Sequence, residues 1–315
     1  MAGDGFGPAR FLFSGRLDDR ILSVSSHPTI SIITPTRNRR ALLTETVASV
    51  RAQTLAAWEY LIIDDASEDD TWAWLGELAA NDGRIRPIHL AEHGERSRAR
   101  NIGLAQARGP YALFLDDDDL LFPEALAAHA HALDGHPVAV ASIAGYEQFA
   151  AGRPSVAHPI ARRQLQIELW PALVFGWAAV AGQCLFRTEA TRAIGGWDEA
   201  RNFAEDFALL LALSRTAPAV LLPDLLLRYR VHPGQGRPAE MRAVMFDILD
   251  AEMAQAVSPQ KAQGRRLLEA RKNFLRAQDA SRAGDKFASL GFRLQTVLRF
   301  PELLLHPLNR RRLFS

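Results

Sequence analysis

Cysteine is nearly missing: Cys184 is the single one in 315 residues. It has no partner for an internal disulfide and cannot make a thiolate zinc site. A reducing, cytoplasmic setting is the expectation. Lysine is almost as scarce, with three residues, all at or beyond position 261. No Gly-x-x-x-x-Gly-Lys occurs, which argues against a P-loop kinase or ATPase. No Gly-x-Gly-x-x-Gly follows the first strand-like run, which argues against a nicotinamide dehydrogenase. The N-terminal MAGDGFGPARFLF has no apolar core behind a basic start, so no signal peptide is read there. The most apolar stretch, 169–186 (LWPALVFGWAAVAGQCLF), is broken by Pro171, Gly176, Gly182 and Gln183. It reads as a buried helix, turn and strand rather than a membrane span.

Charge of one sign is absent overall, at a formal net of +1, but present by segment. Residues 261–315 hold 13 Lys and Arg against 4 Asp and Glu, a net of +9, and the remainder carries −8. An acidic body lacks the basic field that phosphate backbones demand, so no nucleic-acid partner is expected. The basic tail either folds back on the body or meets an anionic surface. The 48% hydrophobic and 23% charged composition excludes a wholly disordered chain.

From residue 29 onward, strand and helix patterns alternate. TISIIT (29–34), EYLIIDDAS (59–67), RIRPIHL (84–90) and YALFLDDDD (111–119) read as strands. Helical spacing fills 41–53, 70–80, 97–108 and 123–133. This order predicts an α/β fold with a mainly parallel central sheet flanked by helices. Ligands in such sheets bind beyond the carboxyl ends of the strands. Both acid clusters, Asp64–Asp65 and Asp116–Asp119, begin where an apolar strand ends, and so converge on one crevice. After 138 the pattern becomes mixed α+β, and from about 240 it is helical and basic.

Four consecutive Asp repel one another, and a hard divalent cation resolves that repulsion. The plainer reading is a solvated turn leading into a helix. The buried strand before the run and Pro123 after it favour a fixed geometry, hence metal. Thr36, Arg37 and Asn38 end the first strand, and Arg96, Arg98 and Arg100 precede a helix. Carboxylates holding a metal, with Arg topping up the charge, describe a site for a metal-bridged diphosphate. Glu205 and Asp206 open a strongly apolar helix, either as helix-end complements to its dipole or as a general base near that site.

Taken in order, SIITPTRNR (31–39), LIIDDASEDDT (61–71), ERSRARNIGLAQARGPYALFLDDDD (95–119), GGWDEARNFAEDFALLLAL (195–213) and RYRVH (228–232) resemble the family 2 inverting glycosyltransferases. The resemblance implies a GT-A nucleotide-sugar fold over 29–238, with 29–133 as the nucleotide-binding half and 134–238 as the acceptor half. A loose arm (1–28) would precede it and a basic helical extension (239–315) would follow. It implies Mn²⁺ or Mg²⁺ and a nucleoside-diphosphate sugar, with Pro35, Thr36, Arg37, Asn38 and Asp65 around the nucleotide. Asp65 accepting from a base N–H favours UDP. Arg100 or Arg96 matches a donor-side Arg. Asp116-Asp117-Asp118 matches the Asp-x-Asp motif, with Asp118 as direct metal ligand and Asp116 or Asp117 meeting ribose or metal. His232 matches a position over the diphosphate or metal, or is structural. Asp206 matches the catalytic base, Glu205 an orienting residue, and Trp197 and Asp198 fall on the acceptor side; core packing is the other reading of Trp197.

Two departures from the family stand out. Arg37 replaces the usual aromatic, and PGQGRP follows His232 in place of serines. The Gln-x-x-Arg-Trp motif of processive synthases is absent, so a single sugar addition to a hydroxyl of a glycan or lipid-linked acceptor is expected. A sugar nucleotidyltransferase is the competing enzyme class, but the Gly-rich loop with Arg and Lys that it needs after the first strand is missing. A non-catalytic nucleotide-sugar-binding protein is the other competitor. Residues 286–315 are apolar and Arg-rich, suited to packing on the body or to peripheral contact with the inner membrane face.

Overall fold

The computed structural model describes residues 27–201, 203–232, 238–255, 258–282, 285–301 and 308. The N-terminal arm therefore lies outside the described residues apart from His27 and Pro28, as do 302–307 and 309–315 of the basic tail.

The chain opens with β1 (Ile30–Thr36), α1 (Arg40–Arg51), β2 (Trp58–Asp64), α2 (Thr71–Asn81), β3 (Ile85–His89), α3 (Glu95–Gln106) and β4 (Tyr111–Phe114). The four strands pair in parallel in the order β3-β2-β1-β4. Every residue of β1 and β2 is buried, as a strand covered on both faces requires. Ile30 and Ile32 pack into one core with Leu43 and Val47 of α1. Ile33 faces the other core, with Ala99 and Leu104 of α3. Contact there is close: a Cβ on Gly103 would lie 2.4 Å from Ile33 Cγ2.

The chain steps outward from β1 to β2 and β3, then returns to place β4 on the other side of β1. That reversal makes a crevice between the carboxyl ends of β1 and β4.

The second part runs β5 (Leu120–Leu121), α4 (Ala125–Asp134), β6 (Ala141–Ala150), β7 (Arg153–His158), β8 (Leu165–Ile167), α5 (Trp170–Phe175), β9 (Cys184–Arg187), α6 (Thr188–Ala193), α7 (Glu205–Ser214) and β10 (Ala219–Arg230). β9 enters the sheet between β4 and β6, antiparallel to both. β10 pairs in parallel with β6 and antiparallel with β5 and β8. The sheet is thus parallel over β3, β2, β1 and β4 and mixed beyond β4. The apolar stretch 169–186 divides into α5, a turn at left-handed Gly176 and β9. No helix among the described residues is long and apolar enough to cross a membrane.

Three helices follow: α8 (Pro238–Gln255), α9 (Ser258–Arg282) and α10 (Lys286–Arg299). Leu267, Leu268 and Phe274 of α9 join the core that α5 and α7 build. The rings of Phe274 and Phe175 are 5.7 Å apart.

Candidate active site

A cavity of about 380 Å³ occupies the crevice. Its wall comes from the end of β1 (Pro35, Thr36, Arg37, Arg39), the end of β2 (Asp65), the start of α3 (His93, Glu95, Arg96), the Asp run after β4, and Phe203 and His232. Segments far apart in sequence meet here because each leaves the sheet at the same edge. Four non-glycine residues among those described have positive φ: Asn38, Ala66, Glu95 and Ala204. They begin the loops after β1 and β2 and the helices α3 and α7. Such strain persists only where the surroundings over-determine it, and it gathers around this cavity.

The four aspartates occupy four different environments. Asp116 accepts from Arg100 Nη2 at 2.6 Å. Burial works to raise its carboxyl, but Arg100, with Arg96 and Arg39, holds it below the usual carboxylate range. Asp117 accepts from Thr36 Oγ1 at 2.8 Å, across the switch point, and from Arg39 Nη1 at 2.6 Å. Burial nonetheless pushes it up to about 6. Asp118 Oδ2 accepts from Arg39 Nη2 at 3.0 Å and lies 3.1 Å from His232 Nε2. Asp119 turns away from the cavity, where its Oδ1 accepts the Arg230 N–H at 2.9 Å and ties the run to β10. Burial raises its carboxyl well above the ordinary value.

Asp118 and His232 offer an oxygen and a nitrogen donor side by side. Among the described residues no three His, Cys, Asp or Glu side chains are grouped to hold a metal ion alone. The donor set fits an ion shared with a bound diphosphate, the usual habit of Mg²⁺, rather than one caged by protein. The guanidinium of Arg39 stands among these donors, 3.4 Å from His232 Nε2, and supplies the positive charge the carboxylates need. Arg39 ends the SIITPTRNR run, but nothing in the sequence distinguishes it from Arg37 within that run or Arg40 just after it as the residue that reaches the aspartates.

Asp65 is positioned from both sides. Its Oδ1 accepts the Gly94 N–H at 2.8 Å, and its Oδ2 lies 2.6 Å from His93 Nδ1. Arg37 reaches Glu68 at 3.3 Å on the cavity rim. Asn38 does not line the cavity: its Oδ1 accepts the N–H of Glu68 at 2.7 Å and braces the loop after β2. His93, Glu95 and Phe203 are further wall residues that sequence reasoning passed over. Proximity to the Arg-rich start of α3 and to the Glu205 pair was the only signal for them.

Of Arg100 and Arg96, the two candidates for the donor side, Arg100 has a side chain 1% exposed and lies beneath the cavity. Its Nη1 is 3.3 Å from Glu205 Oε1 and 4.0 Å from Asp206 Oδ1. Arg96 remains on the cavity wall and reaches the same Glu205 oxygen at 3.2 Å. Asp206 sits behind the cavity wall, joined to it through Arg100 and Asp116, and its Oδ1 has no hydrogen-bond partner. Burial pushes Asp206 up to about 7; Arg100 pulls against that shift, and Glu205 and Asp116 add to it.

Of the two readings of Trp197, acceptor-side residue or core packing, the second describes its surroundings. It is buried, with Arg100 4.3 Å above its ring and Phe114 edge-on at 4.9 Å. Its surface is spent on supporting Arg100 from below. Asp198 pairs with Arg201 at 2.7 Å and lines a second cavity of about 300 Å³, between the turn before it, α7 and α8.

A sheet reversed at β1/β4, with an acid run beyond β4 and a carboxylate pair opening α7, defines a GT-A glycosyltransferase fold. Solved structures agree. TarS of S. aureus in complex with UDP-GlcNAc matches at TM-score 0.65 and 21% identity, over 87% of this chain and 82% of that one. A mannosyltransferase from Pyrobaculum calidifontis, in complex with GDP-Man and Mn²⁺, matches at TM-score 0.54 and 18% identity, over 91% and 85%. The chain belongs to Glycosyl transferase family 2, whose profile matches residues 31–190. It is 32% identical to the uncharacterized protein y4gI of Sinorhizobium fredii over 66% of this chain and 22% of the relative. It is 37% identical over 31% of its length to a GalNAc(5)-diNAcBac-PP-undecaprenol beta-1,3-glucosyltransferase of Campylobacter jejuni, covering 32% of that enzyme. The chain spans between a tenth and about a third of the length of the first curated relatives it matches.

Proposed function

We propose that this chain is a metal-dependent, inverting, non-processive glycosyltransferase that moves one sugar from a UDP-sugar to a hydroxyl of a glycan or lipid-linked acceptor. The observation that carries this reading is the meeting of Asp65, Asp116, Asp117 and Asp118 in one cavity, with the raised carboxyl of Asp206 just behind it. The binding of UDP-GlcNAc by TarS and the lipid-linked acceptor in the name of the Campylobacter relative support the donor and acceptor classes.

In this reading the base of the nucleotide sits against Pro35, Arg37 and Asp65, with the guanidinium face of Arg37 in place of an aromatic ring. Asp65 is fixed by His93 and Gly94 so that its free lone pairs face a base N–H. Asp116 or Asp117 meets the ribose, and Arg96 adds positive charge beside the diphosphate. Asp118 and His232, with Asp116 adjacent, would hold Mn²⁺ or Mg²⁺, which supplies charge for the departing diphosphate. Asp206 takes the proton from the acceptor hydroxyl as that oxygen attacks the anomeric carbon, and the configuration there inverts. A carboxyl raised to about 7 is matched to this task, since a base works best with its pKa near the operating pH. Glu205, shared by Arg96 and Arg100, keeps the guanidinium from closing fully onto Asp206.

Calorimetric titration with UDP, with and without Mn²⁺, tests the donor site. Release of UDP from a panel of UDP-sugars, dependent on added acceptor, tests transfer. Failure to bind any nucleoside diphosphate in the presence of Mn²⁺ overturns the reading.

A further inference from the structure

Helix α10 faces solvent with the wrong residues for a solvated surface. Phe287 is 90% exposed, Leu290 55%, Leu294 53% and Leu298 79%. These four are half of the large hydrophobic side chains exposed among the described residues. At about 100° per residue they fall, with Gly291, on one arc of roughly 80–100° of the helix. No charged side chain interrupts that arc. The buried residues of the same helix are Ser289 and Thr296, and Thr296 satisfies its hydroxyl on the Phe292 carbonyl at 2.8 Å. Ser289 and Thr296 thus point inward with Val297, which packs against the core, while four large apolar side chains on the opposite arc are left in solvent, where an ordinary surface helix is polar.

We infer that the exposed arc of α10 is a membrane-docking face that lies in the plane of an anionic lipid surface. Charge decides among occupants. The helix carries Lys286, Arg293 and Arg299 and no acidic residue, and the segment 261–315 around it is net +9. A second copy seated on the same arc would bring two such segments together at a cost in repulsion. An anionic bilayer instead attracts the basic residues while its acyl boundary accepts the apolar arc. At 14 residues α10 extends about 21 Å, too short to span the hydrocarbon core, so it lies along the interface. Docking there would hold the catalytic cavity close to an acceptor carried on lipid. Binding is read without any sugar donor, so this inference stands or falls separately from the transfer reaction.

The test is flotation of the full chain with phosphatidylcholine vesicles and with vesicles enriched in phosphatidylglycerol, at low and high salt. The expected result is flotation on the anionic vesicles that weakens as salt screens the basic residues. The double variant Leu294→Ser, Leu298→Ser should retain the wild-type circular dichroism and melting temperature, because both side chains are exposed, and should lose at least about tenfold in vesicle affinity. Absence of flotation on the anionic vesicles, or equal flotation of wild type and variant, overturns the inference. So does a wild-type dimer in sedimentation that the double variant converts to monomer, since a second copy would then own the face. The salt dependence of the wild type provides a readout that needs no variant.

Discussion

Arg100 and Asp206 stand 4.0 Å apart, Nη1 to Oδ1, just beyond hydrogen-bonding reach. The guanidinium is committed instead to Asp116 at 2.6 Å and Glu205 at 3.3 Å. One buried cation therefore serves three carboxylates, and Asp206 is the one that lies farthest from it. Burial raises Asp206 to about 7 against the pull of Arg100, while the same guanidinium holds Asp116 below the usual carboxylate range.

A pH profile follows directly. Asp206 must be deprotonated to accept a proton, so kcat/KM should climb with pH and level off above about 7. Arg100→Lys moves the cation that favours the charged form of Asp206, and the rising limb should shift to higher pH. A limb that stays near pH 4 in the wild type would remove Asp206 from the base role.

Asp206→Asn should lower turnover by about 10²–10⁴-fold with UDP affinity nearly intact. It should also stabilise the protein under mildly alkaline conditions. A carboxyl whose folded pKa is raised contributes its stability below the unfolded value, near 3.8, and loses it as pH rises through about 7. Above that pH the wild type holds a third negative charge around one buried guanidinium, and the amide does not. Thermal melts on both sides of neutrality should show the variant's advantage only on the alkaline side.

Asp118 and Arg39 should have opposite effects on the metal. Asp118→Ala removes the carboxylate beside His232, and Mn²⁺-dependent UDP binding should fail. Arg39→Ala frees Asp117 and Asp118 of a competing cation, and binding of Mn²⁺ alone, followed by the resonance of the free ion, should tighten several-fold. Weaker Mn²⁺ binding by Arg39→Ala would show that Arg39 orders the aspartates rather than competing for them.

Trp197→Phe separates support from recognition. The smaller ring leaves a void beneath Arg100 and against Phe114, costing about 1–3 kcal/mol of stability. The KM for acceptor should be unchanged, because the indole is 2% exposed. A raised acceptor KM with unaltered melting temperature would return the indole to the acceptor side.

Gly103→Ala checks the α3–β1 contact. The added Cβ would meet Ile33 Cγ2 at 2.4 Å, and the helix would have to lift from the strand. A loss of about 1–3 kcal/mol in chemical denaturation is expected.

The strands β1, β2 and β4 were legible because long branched apolar runs with turn residues after them fit little else. The convergence of Asp65 with Asp116–Asp118 was legible too, since every strand of a parallel sheet ends on the same edge, but Asp64, paired with His89, and Asp119, tied to Arg230, stay out of the cavity they were read into. The partition of work within the site was not. Nothing near Arg100 in the sequence marks it as buried while Arg96, one helical turn earlier, lines the cavity. Asn38 reads as a ligand-facing residue, and only the proximity of the β2 loop makes it a brace. The place of β9, antiparallel between β4 and β6, rests on pairings with residues more than forty positions away.

The sequence by itself determined the alternating α/β layout, the acid clusters at strand ends and the likeness to family 2 glycosyltransferases. These depend on local periodicity and on short runs whose chemistry is intrinsic. Tertiary structure alone decided which carboxylate each arginine neutralises, that Trp197 is buried under Arg100, and that the apolar arc of α10 looks outward. Those outcomes depend on burial and on distances of a few ångströms between segments far apart in the chain, and a linear pattern is the same whichever way a side chain finally points.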